Sequence, residues 1–246
     1  MVEPLLSVLF PPRCVGCGDF ETDLCGSCRE GLDPIDRDHC TRCGEPGVRA
    51  LLSGRCAFCV GKELTYAGAR GAFRHEGVVR KLVAEFKYGG RPVLGRLMAE
   101  VARPAFREFI ASIGGGDGLL LTWVPCHRVS KRQRGYNQAE VLARWLSSES
   151  GGVVVAGLAC KAKTTKHQKG LGRIGRQENL QGVFSLDRKA CQCIPTQTRA
   201  LVLVDDVFTT GATVREVASV LHSGTKLPVY VFTFSRAVAG TPERHD

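Results

Sequence analysis

Leu201-Val202-Leu203-Val204-Asp205-Asp206-Val207-Phe208-Thr209-Thr210-Gly211-Ala212-Thr213 is the stretch on which the reading of this chain turns. Its first four residues are apolar without alternation, the pattern of a strand buried on both faces of a parallel sheet. Asp205 and Asp206 follow at once, where an unpartnered charge would be costly to bury. In an open α/β sheet that position is the carboxyl edge, where ligands bind. Thr209 to Thr213 then form a short loop into a helix expected to begin near Val214. Such a loop offers hydroxyls, backbone N–H groups and a helix N-terminus to a phosphate monoester. Gly211 would let the backbone approach the anion closely. Carboxylates beside an anion loop can accept hydrogen bonds from sugar hydroxyls, so the stretch outlines a reader of ribose 5-phosphate. It is not a Walker-type loop, because no Gly-x-x-x-x-Gly-Lys-Ser/Thr occurs.

Working outward, strands and helices alternate. A strand is expected over Tyr66–Phe73, and residues 78, 79, 82, 83 and 86 make the apolar stripe of a helix. A second helix is expected over Pro92–Ile113, ended by Gly114-Gly115-Gly116-Asp117-Gly118. Further strands are expected at Leu119–Val124, Val153–Leu158 and Val229–Phe234, and further helices at Ala139–Ser147 and Thr213–Ser223. Alternation of this kind predicts a parallel sheet covered by helices on both faces. Residues 161–181 lack periodicity and read as a mobile polar loop of the sort that often closes over a site.

The 246 residues are 43% apolar and 24% charged, a soluble globular composition. No apolar run is long enough to span a bilayer, so no membrane insertion is expected. Met1–Phe10 carries Glu3, lacks a basic flank and reads as a short docking helix rather than a signal peptide. A cytoplasmic location follows as an expectation. The formal charge of +10 is unevenly spread. Residues 1–60 hold six arginines against nine carboxylates, a net −3, and the remainder holds 28 basic against 15 acidic groups, a net +13. Such a field draws phosphates, on a small molecule or on a nucleic acid, and composition does not choose between them. The basic groups concentrate in two expected loops. Arg128, Lys131, Arg132 and Arg134 follow the strand Leu119–Val124, and six more Lys or Arg lie in residues 161–176. Guanidiniums there could take a diphosphate bidentately.

Eight of the twelve cysteines fall into four Cys-x-x-Cys pairs, Cys14/Cys17, Cys25/Cys28, Cys40/Cys43 and Cys56/Cys59. Two such pairs complete a tetrahedral structural Zn²⁺ site. Four pairs therefore predict one or two zinc ions, and joining neighbouring pairs closes the shorter loops, with an interleaved pairing still open. Thiolates alone would leave no position for a catalytic water. The net −3 of this module argues for a metal that folds a short segment, rather than for a ribbon that grips DNA directly. Cys126, Cys160, Cys191 and Cys193 read as ordinary thiols. The organisation expected is a zinc-ribbon module over residues 1–62, an α/β domain over 63–236 and a tail over 237–246.

These pieces resemble the ComF family of competence and DNA-utilisation proteins. Arg134-Gly135-Tyr136-Asn137-Gln138-Ala139 looks like that family's Arg-Gly-Phe/Tyr-Asn-Gln motif. Thr165, Gln168 and Leu171, then Arg176, Asn179, Gly182 and Phe184, are similar to its flexible loop, and Phe86-Lys87-Tyr88-Gly89 to its hood segment. Asp205-Asp206 with Thr209–Thr213 resembles the binding motif of type I phosphoribosyltransferases generally. Lys131 departs from the family pattern, which often has an apolar residue there. The resemblance implies a type I phosphoribosyltransferase-like sheet flanked by helices, with a hood and a closing loop. It implies phosphoribosyl pyrophosphate as ligand, with Mg²⁺. Asp205 and Asp206 would hold the ribose and Thr209, Thr210, Gly211, Ala212 and Thr213 the phosphate. Arg128, Lys131, Arg132, Arg134, Asn137, Gln168 and Arg176 would meet the diphosphate or form the closing loop. Single-stranded DNA and the helicase or channel proteins of DNA uptake would be further partners.

Overall fold

A computed structural model describes residues 11–36, 38–47, 54–57, 59–148, 153–161 and 182–238. The expected docking helix at Met1–Phe10, the loop that carries Gln168 and Arg176, and the last residues of the tail lie outside them. Five parallel strands form the central sheet: β1 (Gly68–Arg74), β2 (Leu119–Trp123), β3 (Val154–Val155), β6 (Ala200–Phe208) and β7 (Val229–Arg236), in the order β1-β7-β6-β2-β3. Parallel neighbours need crossover connections, and the helices supply them. α2 (Gly77–Tyr88) and α3 (Leu94–Ser112) link β1 to β2, α4 (Arg128–Arg134) and α5 (Gln138–Ser148) link β2 to β3, and α7 (Ala212–Thr225) links β6 to β7.

The unbroken apolar run of β6 is explained by what lies on either side. Val202 and Val204 join Phe232, Phe234 and the apolar faces of α2, α3 and α5 in one core. Leu201 and Leu203 point the other way, into a second core with Val229, Val231 and α7. Successive residues of a strand face opposite sides, so a strand covered twice cannot alternate. The α/β sheet with flanking helices is thus as expected.

Three local expectations change. Val153–Leu158 is not one strand. β3 stops at Val155, and β4 (Ala159–Lys161) pairs antiparallel with β5 (Phe184–Leu186) in a separate two-stranded sheet. The Leu158 N–H donates to the hydroxyl of Thr122 on β2 (3.2 Å) instead of continuing the ladder. The basic run after β2 is the helix α4 rather than a loop, started by the His127 ring accepting from Val129 N–H and ended by Gly135 at φ 84°. Short helices α1 (Gly26–Glu30) and α6 (Arg188–Gln192) had no clear periodic signal.

The cysteine segment is built onto the sheet. Cys14, Leu24 and Leu32 enter the α2/α3 core. Between the two cysteine clusters, residues 33–36 run along β1, with Ile35 N–H donating to Ala72 O (2.9 Å) and Arg74 N–H to Asp33 O (2.8 Å). β1 is the outer strand of the sheet, and an uncovered edge is a template for unwanted pairing; this segment covers it. The buried Arg70 donates to the carbonyls of Ile35 (2.7 Å) and Asp36 (2.9 Å), fixing the same segment from the side. Gly44 adopts φ 72°, and a Cβ there would lie 2.9 Å from Ala69 O of β1. We expect Gly44→Ala to cost about 1–2 kcal/mol in backbone strain alone, with the clash added. It should lower the melting temperature measured by circular dichroism by several degrees while the first cysteine cluster stays intact.

Candidate functional site

β6 outruns β2. The β2 ladder ends at Trp123 opposite Val204, while β6 continues beside β7 through Asp205, opposite Thr233, to Phe208, opposite Arg236. Asp205 and Asp206 therefore belong to the strand rather than follow it, and they stand where one neighbour has ended. Asp206 is buried, and Lys87 Nζ at the end of α2 lies 2.9 Å from its Oδ1. Asp205 Oδ1 accepts from the Asp206 N–H at 2.9 Å. Burial and the neighbouring charge of Asp206 push the Asp205 carboxyl up to about 8, against the pull of Lys87. Burial disfavours the Lys87 ammonium, but Asp206 and Asp205 outweigh it and hold Lys87 above its ordinary range. Two carboxylates that share one cation cannot both ionise freely.

Thr209 and Thr210 form the turn, Gly211 caps α7 at φ 74°, and Ala212 and Thr213 lie in its first turn, slightly earlier than the sequence suggested. The Ala212 N–H points to the Thr210 hydroxyl at 3.4 Å. A Cβ on Gly211 would meet the Phe208 ring at 2.6 Å, so ring and glycine are in direct contact. The loop keeps the elements of an anion site: hydroxyls, a left-handed residue and the start of a 14-residue helix.

The Arg134–Ala139 motif locks the end of α2 in place. The Tyr136 hydroxyl donates to Phe86 O at 2.5 Å, and Arg134 lies over the Tyr88 ring, 5.1 Å from its centroid. Asn137 is buried, its Nδ2 donating to Val124 O (3.1 Å) and its Oδ1 accepting from Ala139 N–H (3.1 Å). Both polar ends of Asn137 are thus used within the protein, tying α5 to the end of β2. Arg128, Lys131, Arg132 and Arg134 are all on α4, which follows β2 in the chain. Lys131 pairs with Glu140 at 3.1 Å. Burial raises the Cys126 thiol, with Lys131 and Arg134 pulling the other way. Lys87 was quoted in the sequence as part of the hood-like segment but not as a site residue. A lysine at the polar end of an amphipathic helix carries no mark of its partner, and only the packing of α2 brings it to Asp206.

The cysteines gather as two sets, Cys14, Cys17, Cys25 and Cys28, and Cys40, Cys43, Cys56 and Cys59. Neighbouring pairs are therefore joined, not interleaved ones. Within each set the four sulfurs all lie within 4.8 Å of one another. Cys17 and Cys25 Sγ are 3.7 Å apart, and Cys43 and Cys56 Sγ 3.6 Å apart. A ZnS₄ tetrahedron with bonds of about 2.3 Å has an edge of about 3.8 Å, so both sets fit structural zinc. Backbone N–H groups of Cys25 and Cys56 approach the sulfurs of Cys14 and Cys40 at 3.4 Å and 3.2 Å. The first set includes the exposed Cys17, whereas all four cysteines of the second are buried.

Residues 5–60 match a family model described as a double zinc ribbon domain. Along nearly its whole length the chain is similar to "Competence protein F" of Haemophilus influenzae, 25% identical over 229 residues, 92% of this chain and 97% of the relative. It is 24% identical to "DNA utilization protein YhgH" of Escherichia coli over 219 residues, 87% of this chain and 91% of that one. It is also 24% identical to "Competence protein ComFC" of Bacillus subtilis over 222 residues, 87% of this chain and 84% of that one. The chain thus resembles the competence and DNA-utilisation proteins of the ComF type along nearly its whole length.

The structure brings together Asp205, Asp206, Lys87 and the Thr209–Thr213 loop at one strand end, and α4 follows the neighbouring strand β2 in the chain. Gln168 and Arg176 lie outside the described residues. Between the loop and the second ribbon there is also a cavity of about 410 Å³, lined among others by Glu45, Tyr66, Phe208, Thr209, Arg215 and Arg236.

Two outcomes follow. A chromophoric chelator should draw two zinc ions per chain in two phases, the half-exposed first set before the buried second. The second concerns pH. The folded chain keeps on Asp205 a proton that the unfolded chain loses near its ordinary pKa of 3.8. That contribution to stability is whole below about pH 4 and is lost as pH rises through about 8. Asp205→Asn should therefore gain on the wild type in thermal stability between these values, at roughly 2–4 °C per kcal/mol, with no further gain above. A difference independent of pH would contradict the assignment.

Proposed function

We propose that this ComF-like protein binds phosphoribosyl pyrophosphate with Mg²⁺ at the end of β6, and that this binding serves the uptake and use of DNA. The observation that carries the ligand is the acidic pair Asp205–Asp206, followed within a few residues by the glycine-capped N-terminus of α7. Carboxylates accept hydrogen bonds from ribose hydroxyls, while the loop's N–H groups and the Thr209, Thr210 and Thr213 hydroxyls take the 5-phosphate. Arg128, Lys131, Arg132 and Arg134 on α4 would meet a diphosphate, with Gln168 and Arg176 in the closing loop. The DNA role is supported by the names of the relatives, which speak of competence and DNA utilisation.

The arrangement suits phosphoribosyl transfer. Breaking the bond between ribose C1 and the diphosphate oxygen leaves positive charge on the sugar and negative charge on the departing diphosphate. The carboxylates stabilise the first and the arginines the second, so the help is electrostatic. Lys87 is paired with Asp206, and Asp205 becomes available as its proton leaves.

A second reading, binding of single-stranded DNA without turnover, draws on a different observation. Two aromatic rings are exposed beneath arginines, Phe20 (55% exposed) under Arg13 and Tyr88 (75% exposed) under Arg134. Rings and cations on one surface are what base stacking uses.

Calorimetric titration of the zinc-loaded protein with phosphoribosyl pyrophosphate and Mg²⁺ separates the two. Binding in the wild type that falls at least about tenfold in Asp205→Asn/Asp206→Asn, a loss of about 1.4 kcal/mol, supports the phosphoribosyl site. Because Asp205 must shed its proton, affinity should rise with pH up to about 8. No binding by folded wild type, together with steeply salt-dependent DNA binding that survives the double substitution, would move the function to the second reading.

A further inference from the structure

One side chain stands between the second cysteine cluster and the phosphate-type loop. Arg236, the last residue of β7, is only 6% exposed. Its Nη2 donates to Glu45 Oε2 at 2.6 Å and lies 3.9 Å from the Cys43 sulfur, and its Nε donates to the same carboxylate at 3.2 Å. Its guanidinium lies over the Phe208 ring, 4.2 Å from the centroid. That ring in turn fills the space beside Gly211, where a Cβ would meet it at 2.6 Å. Arg236 Nη1 is buried without a hydrogen-bond partner. Among the described residues the planar group is held by Glu45, by the cysteine cluster and by the ring. Among the described residues the first cluster has no part in this chain of contacts, since its packing goes with Leu24 and Leu32 to α2 and α3.

Metal in the second cluster would fix Cys43 and, two residues on, Glu45, the two groups that grip the Arg236 guanidinium. We propose that Arg236 is a positioning residue: zinc in the second cluster, acting through Arg236 and Phe208, holds Gly211 and the Thr209–Thr213 loop in the conformation that receives phosphate. The consequence for ligand affinity rests on the phosphate reading of that loop, whereas the positioning does not. Coupling of this kind is reciprocal, so a ligand in the loop tightens the second zinc and leaves the first unaffected.

The test uses the full chain and two readouts. Hydrogen exchange of the amides from Val207 to Glu216 reports the loop without any ligand. It should quicken at least about fivefold, the lower end of ordinary coupling, when Cys59→Ser empties the second cluster, and stay unchanged when Cys17→Ser empties the first. Arg236→Lys keeps a cation beside the thiolates but cannot stack flat on Phe208. It should retain both zinc ions and show the same quickened exchange, which a merely folded or unfolded ribbon would not produce. In the second readout, phosphoribosyl pyrophosphate with Mg²⁺ should slow release of the second zinc to a chelator in the wild type and not in Arg236→Lys. Loop exchange that is the same in wild type, Cys59→Ser and Arg236→Lys overturns the proposal. A loop that responds to zinc in a protein that never binds phosphoribosyl pyrophosphate would instead refute the ligand reading and leave the positioning role standing.

Discussion

Two carboxylates close a strand that is buried on both faces, and the need to compensate them organises the carboxyl edge of the sheet. Asp206 is buried against Lys87, so the end of α2 must reach the end of β6. That reach is secured by Tyr136, which bonds to Phe86 O, and by Arg134, which stacks on Tyr88. The segment 134–139 therefore acts as a clamp on α2 as well as a source of positive charge. One lysine does not neutralise two carboxylates, and Asp205 is left holding a proton to about pH 8. An edge kept in that state is prepared for a ligand that brings hydroxyl donors and a cation of its own.

The cysteine module contributes more than two metal sites. It covers the free edge of β1, adds Cys14, Leu24 and Leu32 to the core, and receives two buried arginines of the larger domain. Arg70 is met by carbonyls of the segment between the clusters, and Arg236 by Glu45 and the Cys43 sulfur. This gives a physical account of the opposite net charges of the two parts. The acidic module supplies acceptors to cations that the basic domain has buried, and a segment too short to form its own core becomes rigid by docking and by metal.

Sequence alone determined the parallel α/β architecture, the strand β6 with its acidic end, the glycine-capped start of α7 and the eight zinc-type cysteines. Each of these is written in local pattern: an apolar run without alternation, a turn that needs Gly211, and Cys-x-x-Cys spacings that put two sulfurs on one turn. Joining neighbouring cysteine pairs was favoured by loop length and is what the fold adopts. Tertiary structure alone decided the rest. The pairing of Lys87 with Asp206, the bond of Asn137 to Val124 O, and the contact of Arg236 with Cys43 and Phe208 join residues from 13 to 193 positions apart in sequence. Beyond the break after Val155, the Leu158 N–H likewise meets a side chain, Thr122, contributed by another strand. Periodicity and spacing record how a segment meets its immediate neighbours. They do not record which distant segment lies against it, and in this molecule that packing determines where the charges of the site find their partners.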